Sequence, residues 1–319
     1  MCRHWPNILP ILLINKKFYD GKESIRINLI RATMTKIIKV YQDDFERVHE
    51  ILTLFFPNIL KETWRQLFID NWDRPEDFYG YAIIDGHRVV GFIATIFSER
   101  EIYGKKYKFC NLSSWVVRNE YRNKSIALIF PILKLTDYTL TIFSAIPEAI
   151  KIFKKIGFKV LTKSRKMMAP IPILKSIFFK DCELIYGEDV IKYLDDNELK
   201  IYKHHHKFIC YHFVMKSDFG NSYLIVRKRK KNIFNFWYPF ADIHYISNKE
   251  IFMKYFDSVK YFIANKLKVI TITIRDTYLP EYQFPYSLNR PAEGFLYRSS
   301  LLSPGDIDSL YSEIFILDL

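Results

Sequence analysis

Two strand-like runs, YGYAII at 79–84 and RVVGFIATIF at 88–97, are separated by Asp85, Gly86 and His87. Asp-Gly between such runs is a strong hairpin signal, because a tight turn needs the positive φ that glycine adopts freely. The hairpin fixes two antiparallel neighbours. A third run, KFCNLSSWVV at 108–117, leads through the basic stretch RNEYRNKS into apolar residues at helical spacing, NKSIALIFPILKL, where Pro131 predicts a kink. TLTIFSA at 139–145 reads as a strand, PEAIKIFKKI as a helix with Pro147 in its first turn, and GFKVL as a strand begun by Gly157. Upstream, MTKIIKV is a strand, and Asp43 or Asp44 caps a helix with Phe45, Val48, Ile51 and Leu52 on one face. A further helical piece covers roughly 59–72. This order implies a mixed α/β (α+β) fold whose central sheet is mixed, mostly antiparallel, with a crossover near its centre.

Past residue 165 the character changes. KMMAPIPILK carries Pro170 and Pro172 and reads as a boundary, so 34–165 is expected to be one domain, 166–180 a linker and 181–319 a second domain. In the second half, GEDVIKYLDDNELKIYK suggests a small helix pair, and FICYHFVM, SYLIVRKRKK and FADIHYI read as strands. EIFMKYFDSVKYFIANK reads as an amphipathic helix and VITITIRD as a buried strand. Residues 1–33 precede the first clear strand and are expected to be an extension outside the fold or a start-codon misassignment. In NILPILLINKK the apolar part is short, the Lys pair follows it, and no small-residue cleavage site comes after, so no export signal is expected.

A hydrophobic share of 49% over 319 residues suffices for a packed core. The net charge of +13 and pI near 9.3 suit an anionic partner, though a Lys-rich chain also rich in Ile, Phe, Tyr and Asn fits codon bias equally well. Cys2, Cys110, Cys182 and Cys210 form no CxxC pair, so neither a disulfide framework nor a zinc site is expected, and a reducing, cytoplasmic setting follows. No apolar stretch reaches about 18 residues, which excludes a membrane-spanning helix. His204, His205 and His206, adjacent on a loop or strand, point in different directions with no ligand-spaced carboxylate or Cys, so no metal is expected. RKRKK at 227–231 reads as a solvated strand end.

The element order, together with AIIDGHRVVGFIA, VVRNEYRNKSIA and AIKIFKKIGFKV, resembles the GNAT (Gcn5-related N-acetyltransferase) superfamily over about residues 35–165. The resemblance implies acetyl-CoA as co-substrate. In that family R/Q-x-x-G-x-G/A follows the central strand and wraps the pyrophosphate; Arg122, Ser125 and Ala127 occupy those positions. Trp115, Val116, Val117, Arg118, Asn123, Lys124, Ile126 and Phe153 complete the implied cofactor-contacting set. Independently, a loop entering a helix presents unpaired N–H groups and the positive end of the helix dipole, so residues 122–127 suit a diphosphate. Ser125 stands where the family has glycine, placing a Cβ at a close approach. Phe153 replaces a common Tyr and Ile146 a common Asn, and neither can move a proton.

The family's direct mechanism implies that a main-chain N–H at Val116 or Trp115 polarises the thioester carbonyl. No Glu lies on that strand, which leaves Ser113, Ser114 or a water relayed to a group elsewhere as base. The second half repeats strand, strand, helix, strand with NKEIF in place of the loop, and so reads as a degenerate GNAT-like domain that shapes the acceptor site. There Trp237, Tyr238 and Phe240 either stack on a substrate or pack in the core, and Asp242 and His244 face one way, either to accept a proton or to be satisfied internally. The expected activity is acetyl transfer to a primary amine of a small acceptor such as a nucleotide-linked amino sugar, with no membrane or nucleic-acid partner and a homodimer compatible with it. Alternatives are an aminoacyl-tRNA-dependent transferase of the paired type and a non-catalytic module.

Overall fold

The computed structural model describes residues 35–171, 182–233, 236–279, 284 and 286–319; the 1–33 extension and residues 172–180 of the expected linker lie outside them. The first half supplies β1 (Lys36–Val40), α1 (Phe45–Phe55), α2 (Lys61–Arg65), β2 (Gly80–Asp85), β3 (Arg88–Ile102) and β4 (Lys105–Val117). A 3-10 helix (Asn119–Leu128), α3 (Phe130–Leu133), β5 (Tyr138–Ile142), α4 (Pro147–Lys155) and β6 (Lys159–Val160) follow. The second half supplies β7 (Ser164–Met168), β8 (Cys182–Tyr186), α5 (Asp196–His205), β9 (Tyr211–Ser217), β10 (Gly220–Ile233) and β11 (Phe236–Ile246). It closes with α6 (Lys249–Leu267), β12 (Thr271–Arg275), β13 (Ser287–Pro291), β14 (Leu296–Arg298) and α7 (Glu313–Ile316).

The strands form two seven-stranded sheets, ordered β1-β2-β3-β4-β5-β14-β6 and β13-β7-β12-β11-β10-β9-β8. Each contains one parallel pair, β4 with β5 and β11 with β12, reached through a helical crossover; the other pairings are antiparallel. On one face of the first sheet, Ile129 and Ile132 in and before α3, Phe153 of α4 and Phe158 just after it pack with Ile93, Phe97 and Leu140. On one face of the second, α6 buries Phe252, Phe256, Val259 and Ile263 against Val226, Ile243 and Ile272. The third core joins α1 and α2 to both sheets, and residues 307–317 run through it.

That C-terminal segment ties the halves together. Asp308 pairs with buried Arg100 of β3 at 2.5 Å, and Leu310 O accepts from His205 Nε2 at 3.0 Å. Arg227 of β10, only 2% exposed, donates to Ile314 O and to Leu319 O (3.2 Å) and pairs with Asp318. Arg227 therefore departs from the solvated strand end expected for 227–231: its charge is drawn inside by carbonyls at the end of a helix.

Three more expectations are modified. Ser164–Met168, drawn partly into the linker, is instead a strand between β12 and β13, and Pro170 stands just past its end. Pro131 occupies the first turn of α3 and so starts that helix, where its missing N–H costs nothing, and does not kink a longer one. His204 and His205 lie in the last turn of α5, with His206 as its C-cap, not on a loop or strand. They do point apart, His204 to Tyr311 Oη and His205 to the Ile201 and Leu310 carbonyls. No group of His, Cys, Asp or Glu among the described residues could hold a metal, and no described helix is long and apolar enough to cross a membrane.

Candidate active site at the fork of the first sheet

The parallel ladder joining β4 to β5 covers Lys108–Asn111 against Tyr138–Thr141 and stops there, while β4 runs on to Val117. The sheet forks at Asn111 and Thr141. On its other edge β4 bulges: Ala94 faces Ser113 and Phe92 faces Val116, so Ser114 and Trp115 together oppose Ile93. Ser114 takes φ 52°, a left-handed conformation that costs a residue with a Cβ about 1–2 kcal/mol. Such bulges bend a strand and re-aim its groups, and they recur beside active sites.

Strand alternation locates the free edge. Arg118 N–H donates to Val90 O of β3 at 2.9 Å, so the Val117 N–H points to the opposite edge, into the fork, and that of Val116 points toward β3. Val116, expected to offer its N–H at the site, thus faces β3, and the N–H that faces the fork is that of Val117. Trp115 is half-buried, and its ring meets Phe153 edge-on at 5.3 Å. The indole N–H is buried without a hydrogen-bond partner. Phe153, 2% exposed, also stacks edge-on with Phe158 at 5.0 Å and so supports Trp115 from the core. Ser113 and Ser114 share a hydrogen bond between their hydroxyls at 3.2 Å.

The basic segment differs from the open loop expected. Residues 119–128 form a 3-10 helix, in which each N–H bonds the carbonyl three residues back, so the amides of 122–127 are committed internally. Ser125 explains part of this, because its Cβ disfavours the left-handed backbone that a glycine-rich loop exploits. Ten residues is long for a 3-10 helix, a form whose runs seldom exceed 3–4 residues because its hydrogen-bond geometry is poorer than that of an α-helix. Arg122 and Asn123 are exposed, and Ser125, Ile126 and Ala127 half-buried. Lys124 donates to Thr35 Oγ1 at 2.9 Å and lies 5.9 Å from the Tyr121 ring. Arg118 is half-buried at the head of the helix, with a buried Nε that has no partner.

Glu313, which the sequence reading passed over, sits at the crotch of the fork. It is fully buried; the Ser144 hydroxyl donates to its Oε1 at 2.6 Å, and its own N–H donates to Asn111 Oδ1 at 3.3 Å. Asn111 Nδ2 in turn reaches Thr141 O and Oγ1 at 3.3 Å. Glu313 Oε2 has no hydrogen-bond partner. Burial pushes the carboxyl up to about 7, against the pull of Ser144, nearby main-chain amides and Asn111. An acid alone in the apolar run SEIFIL was the available signal.

The residues expected to form the acceptor site lie in the second sheet. Asp242 and His244 do face one way: His244 Nε2 is 3.3 Å from Asp242 Oδ2. Both are buried and already engaged, Asp242 with Arg165 at 2.6 Å and the Thr273 hydroxyl at 2.7 Å, His244 with Ser309 Oγ at 2.9 Å. Burial raises the Asp242 carboxyl, but Arg165 and His244 outweigh it and hold the group well below the usual carboxylate range. Burial pushes His244 down to about 4 against the attraction of Asp242, so the ring is neutral at pH 7. Trp237 is 43% exposed near the β10–β11 turn, and Tyr238 and Phe240 are half-buried, their rings 6.2 Å apart.

No family model and no curated protein matches the chain. Solved structures do. A GCN5-related N-acetyltransferase from Anabaena variabilis is 14% identical with a TM-score of 0.55, covering 83% of this chain and 72% of that one. A conserved protein from Enterococcus faecalis, described as a probable N-acyltransferase, is 11% identical with a TM-score of 0.55, covering 85% and 74%. A GCN5-related N-acetyltransferase from Kribbella flavida is 10% identical with a TM-score of 0.54, covering 83% and 71%. Shares that large reach into both sheets. The chain has the two-sheet fold of GCN5-related N-acetyltransferases.

Proposed function

We propose that the protein is an acyl-CoA-dependent N-acyltransferase that passes an acyl group, acetyl being the simplest, to a primary amine. The observation that carries the reading is the fork: a bulged central strand whose outer edge, from Leu112 to Val117, is left by its parallel neighbour. A thioester laid along that edge meets the Val117 N–H, a donor fixed before reaction where oxyanion charge develops, an arrangement worth several kcal/mol of barrier. Arg118 and Arg122 supply positive charge for the diphosphate. Opening the first turns of the 3-10 helix frees its amides for the same anion. Ser113 and Ser114 border the reacting carbonyl, and Trp115 over Phe153 walls the slot. The amine attacks the carbonyl, the C–N bond forms, and the C–S bond breaks to release the CoA thiolate.

The acceptor is a small molecule bearing a primary amine. A nucleotide-linked amino sugar, stacked on Trp237, Tyr238 and Phe240, draws no support from the geometry, since Asp242 and His244 on the same strand are buried and already partnered. Acetyl-CoA at about 100 times its Kd is expected to add roughly 2.7 kcal/mol to stability, a rise of about 5 °C in Tm. Amide exchange over 119–128 should change with it. A melting curve that acetyl-CoA leaves unmoved, while charged tRNA raises it, would sink this reading in favour of an aminoacyl-tRNA-dependent transferase.

A further inference from the structure

We infer that Glu313 is the general base of the transfer, its Oε2 taking the proton of the amine that attacks at the fork. The inference rests on the acyltransferase reading. Three observations meet at this side chain. It lies where β4 and β5 part, tied to Asn111, the last β4 residue paired with β5, and to Ser144 just beyond β5. One oxygen is spent on Ser144, while the other is buried with no partner, a costly vacancy in a folded protein unless a ligand's N–H fills it. Ser144 is itself exposed, so its hydroxyl connects the buried carboxyl to the solvent side of the fork.

The chemistry balances without a further reactant. A neutral amine attacks the thioester carbonyl; as the C–N bond forms, its N–H proton passes to Glu313. The C–S bond breaks with its electron pair on sulfur. The thiolate takes one proton from water, Glu313 returns one to water, and acyl amine and free CoA leave. A carboxyl raised to about 7 suits the task, because it is substantially ionised near neutral pH yet basic enough to hold the proton. The groups that face it are Ser144 from the loop after β5, Asn111 from β4 and main-chain amides; no cation is among the influences on it.

The test compares wild type with Glu313→Gln and Ser144→Ala, following thiol release from acetyl-CoA with water alone and with a panel of primary amines, and acetyl-CoA binding by calorimetry. Glu313→Gln is expected to bind acetyl-CoA as wild type does, to lose about 10²–10⁴-fold in kcat, and to lose the acidic limb of the pH profile. Ser144→Ala removes a hydrogen bond that favours the carboxylate, so its acidic limb should move to higher pH, a shift that a purely structural role would not give. If wild type turns over and Glu313→Gln matches it, or neither variant changes the pH profile, Glu313 is not the base and the acyltransferase reading stands. If wild type neither binds acetyl-CoA nor releases thiol, that reading fails and takes the Glu313 assignment with it.

Discussion

The two sheets contain the same device in two conditions. In each, the parallel ladder ends at a bulge in the central strand: at Asn111 and Thr141 ahead of Ser114 in the first sheet, at Ile243 and Ile274 ahead of His244 in the second. In the second, α6 is a regular helix of 19 residues whose first turn is capped by Asn248 Oδ1 accepting from Ile251 N at 3.1 Å. The bulge residue His244 is bonded to Asp242 and Ser309, and its carbonyl accepts from Tyr278 Oη at 2.5 Å. In the first, the crossover is a long 3-10 stretch and a four-residue helix with no side-chain cap at Arg118. There Ser114 is strained, and Trp115 Nε1, Arg118 Nε and Glu313 Oε2 are buried without partners. The second fork is mostly closed by the protein's own groups, with Arg275 Nη1 and Asp276 Oδ1 just past its ladder buried without partners; the first adds a strained bulge residue to three such atoms. Strain and unsatisfied groups cost stability, and a fold retains them where a ligand repays the loss.

If that contrast is right, the second fork is structural and its loss is felt as stability. Asp242→Ala strips Arg165, Thr273 and His244 of a shared partner in a nearly dry site and should cost about 3 kcal/mol or more, read by urea unfolding. Acetyl-CoA affinity of the folded fraction should not change. A cost below about 1 kcal/mol would break the comparison.

The two buried acids should also carry opposite pH signatures. Asp242 has a depressed pKa, so its contribution is present above the unfolded value near 3.8 and is lost as pH falls below it. Glu313 is raised from 4.5 to about 7, so the folded state holds the extra proton across that window. Stability therefore falls as pH rises through it and levels off above pH 7, an overall loss of about 3 kcal/mol. Unfolding free energies of wild type and Glu313→Gln, measured from pH 5 to 8, isolate this group as their difference. A pH-independent difference would mean that the carboxyl is not perturbed by its site.

Much of this contrast was legible in the sequence because it rests on periodicity. Strand runs such as IATIF and VITITI, the Asp85-Gly86 turn and the stripe along α6 are local signals, and each marks the element found. What escaped depends on partners far along the chain. β14 wedges between β5 and β6 on the strength of three residues, Leu296 to Arg298, too short to show a period. Arg227 reads as surface in RKRKK until the carbonyls near the chain's end arrive to accept from it. Glu313 stands out in SEIFIL as an acid among apolar residues, but its place at the fork emerges only when Asn111 and Ser144, some 200 and 170 residues away, meet it. Ser113 and Ser114, at and beside the bulge, stand out by their polarity within an apolar strand, which is a local signal again.

Charge at the first fork is expected to act on binding alone. Arg122 is exposed, so Arg122→Glu should leave stability within about 0.5 kcal/mol while weakening acetyl-CoA at least tenfold, about 1.4 kcal/mol, with the loss shrinking at high salt. Equal affinity in calorimetry would place the diphosphate elsewhere.

The smallest effect probes the strain directly. At φ 52°, Ser114 gives up energy that glycine would not, so Ser114→Gly should stabilise the protein by roughly 0.5–1 kcal/mol even though glycine is more flexible when unfolded. His244, at the matching bulge, is not among the described residues with positive φ, so His244→Gly gains no such relief and loses its bonds to Asp242 and Ser309. Opposite signs for two substitutions at equivalent places would show that only the first bulge is held under tension. If Ser114→Gly also slows thiol release while raising stability, the strained backbone is part of what aims the Val117 amide, and the cost of keeping it is explained by the reaction it serves.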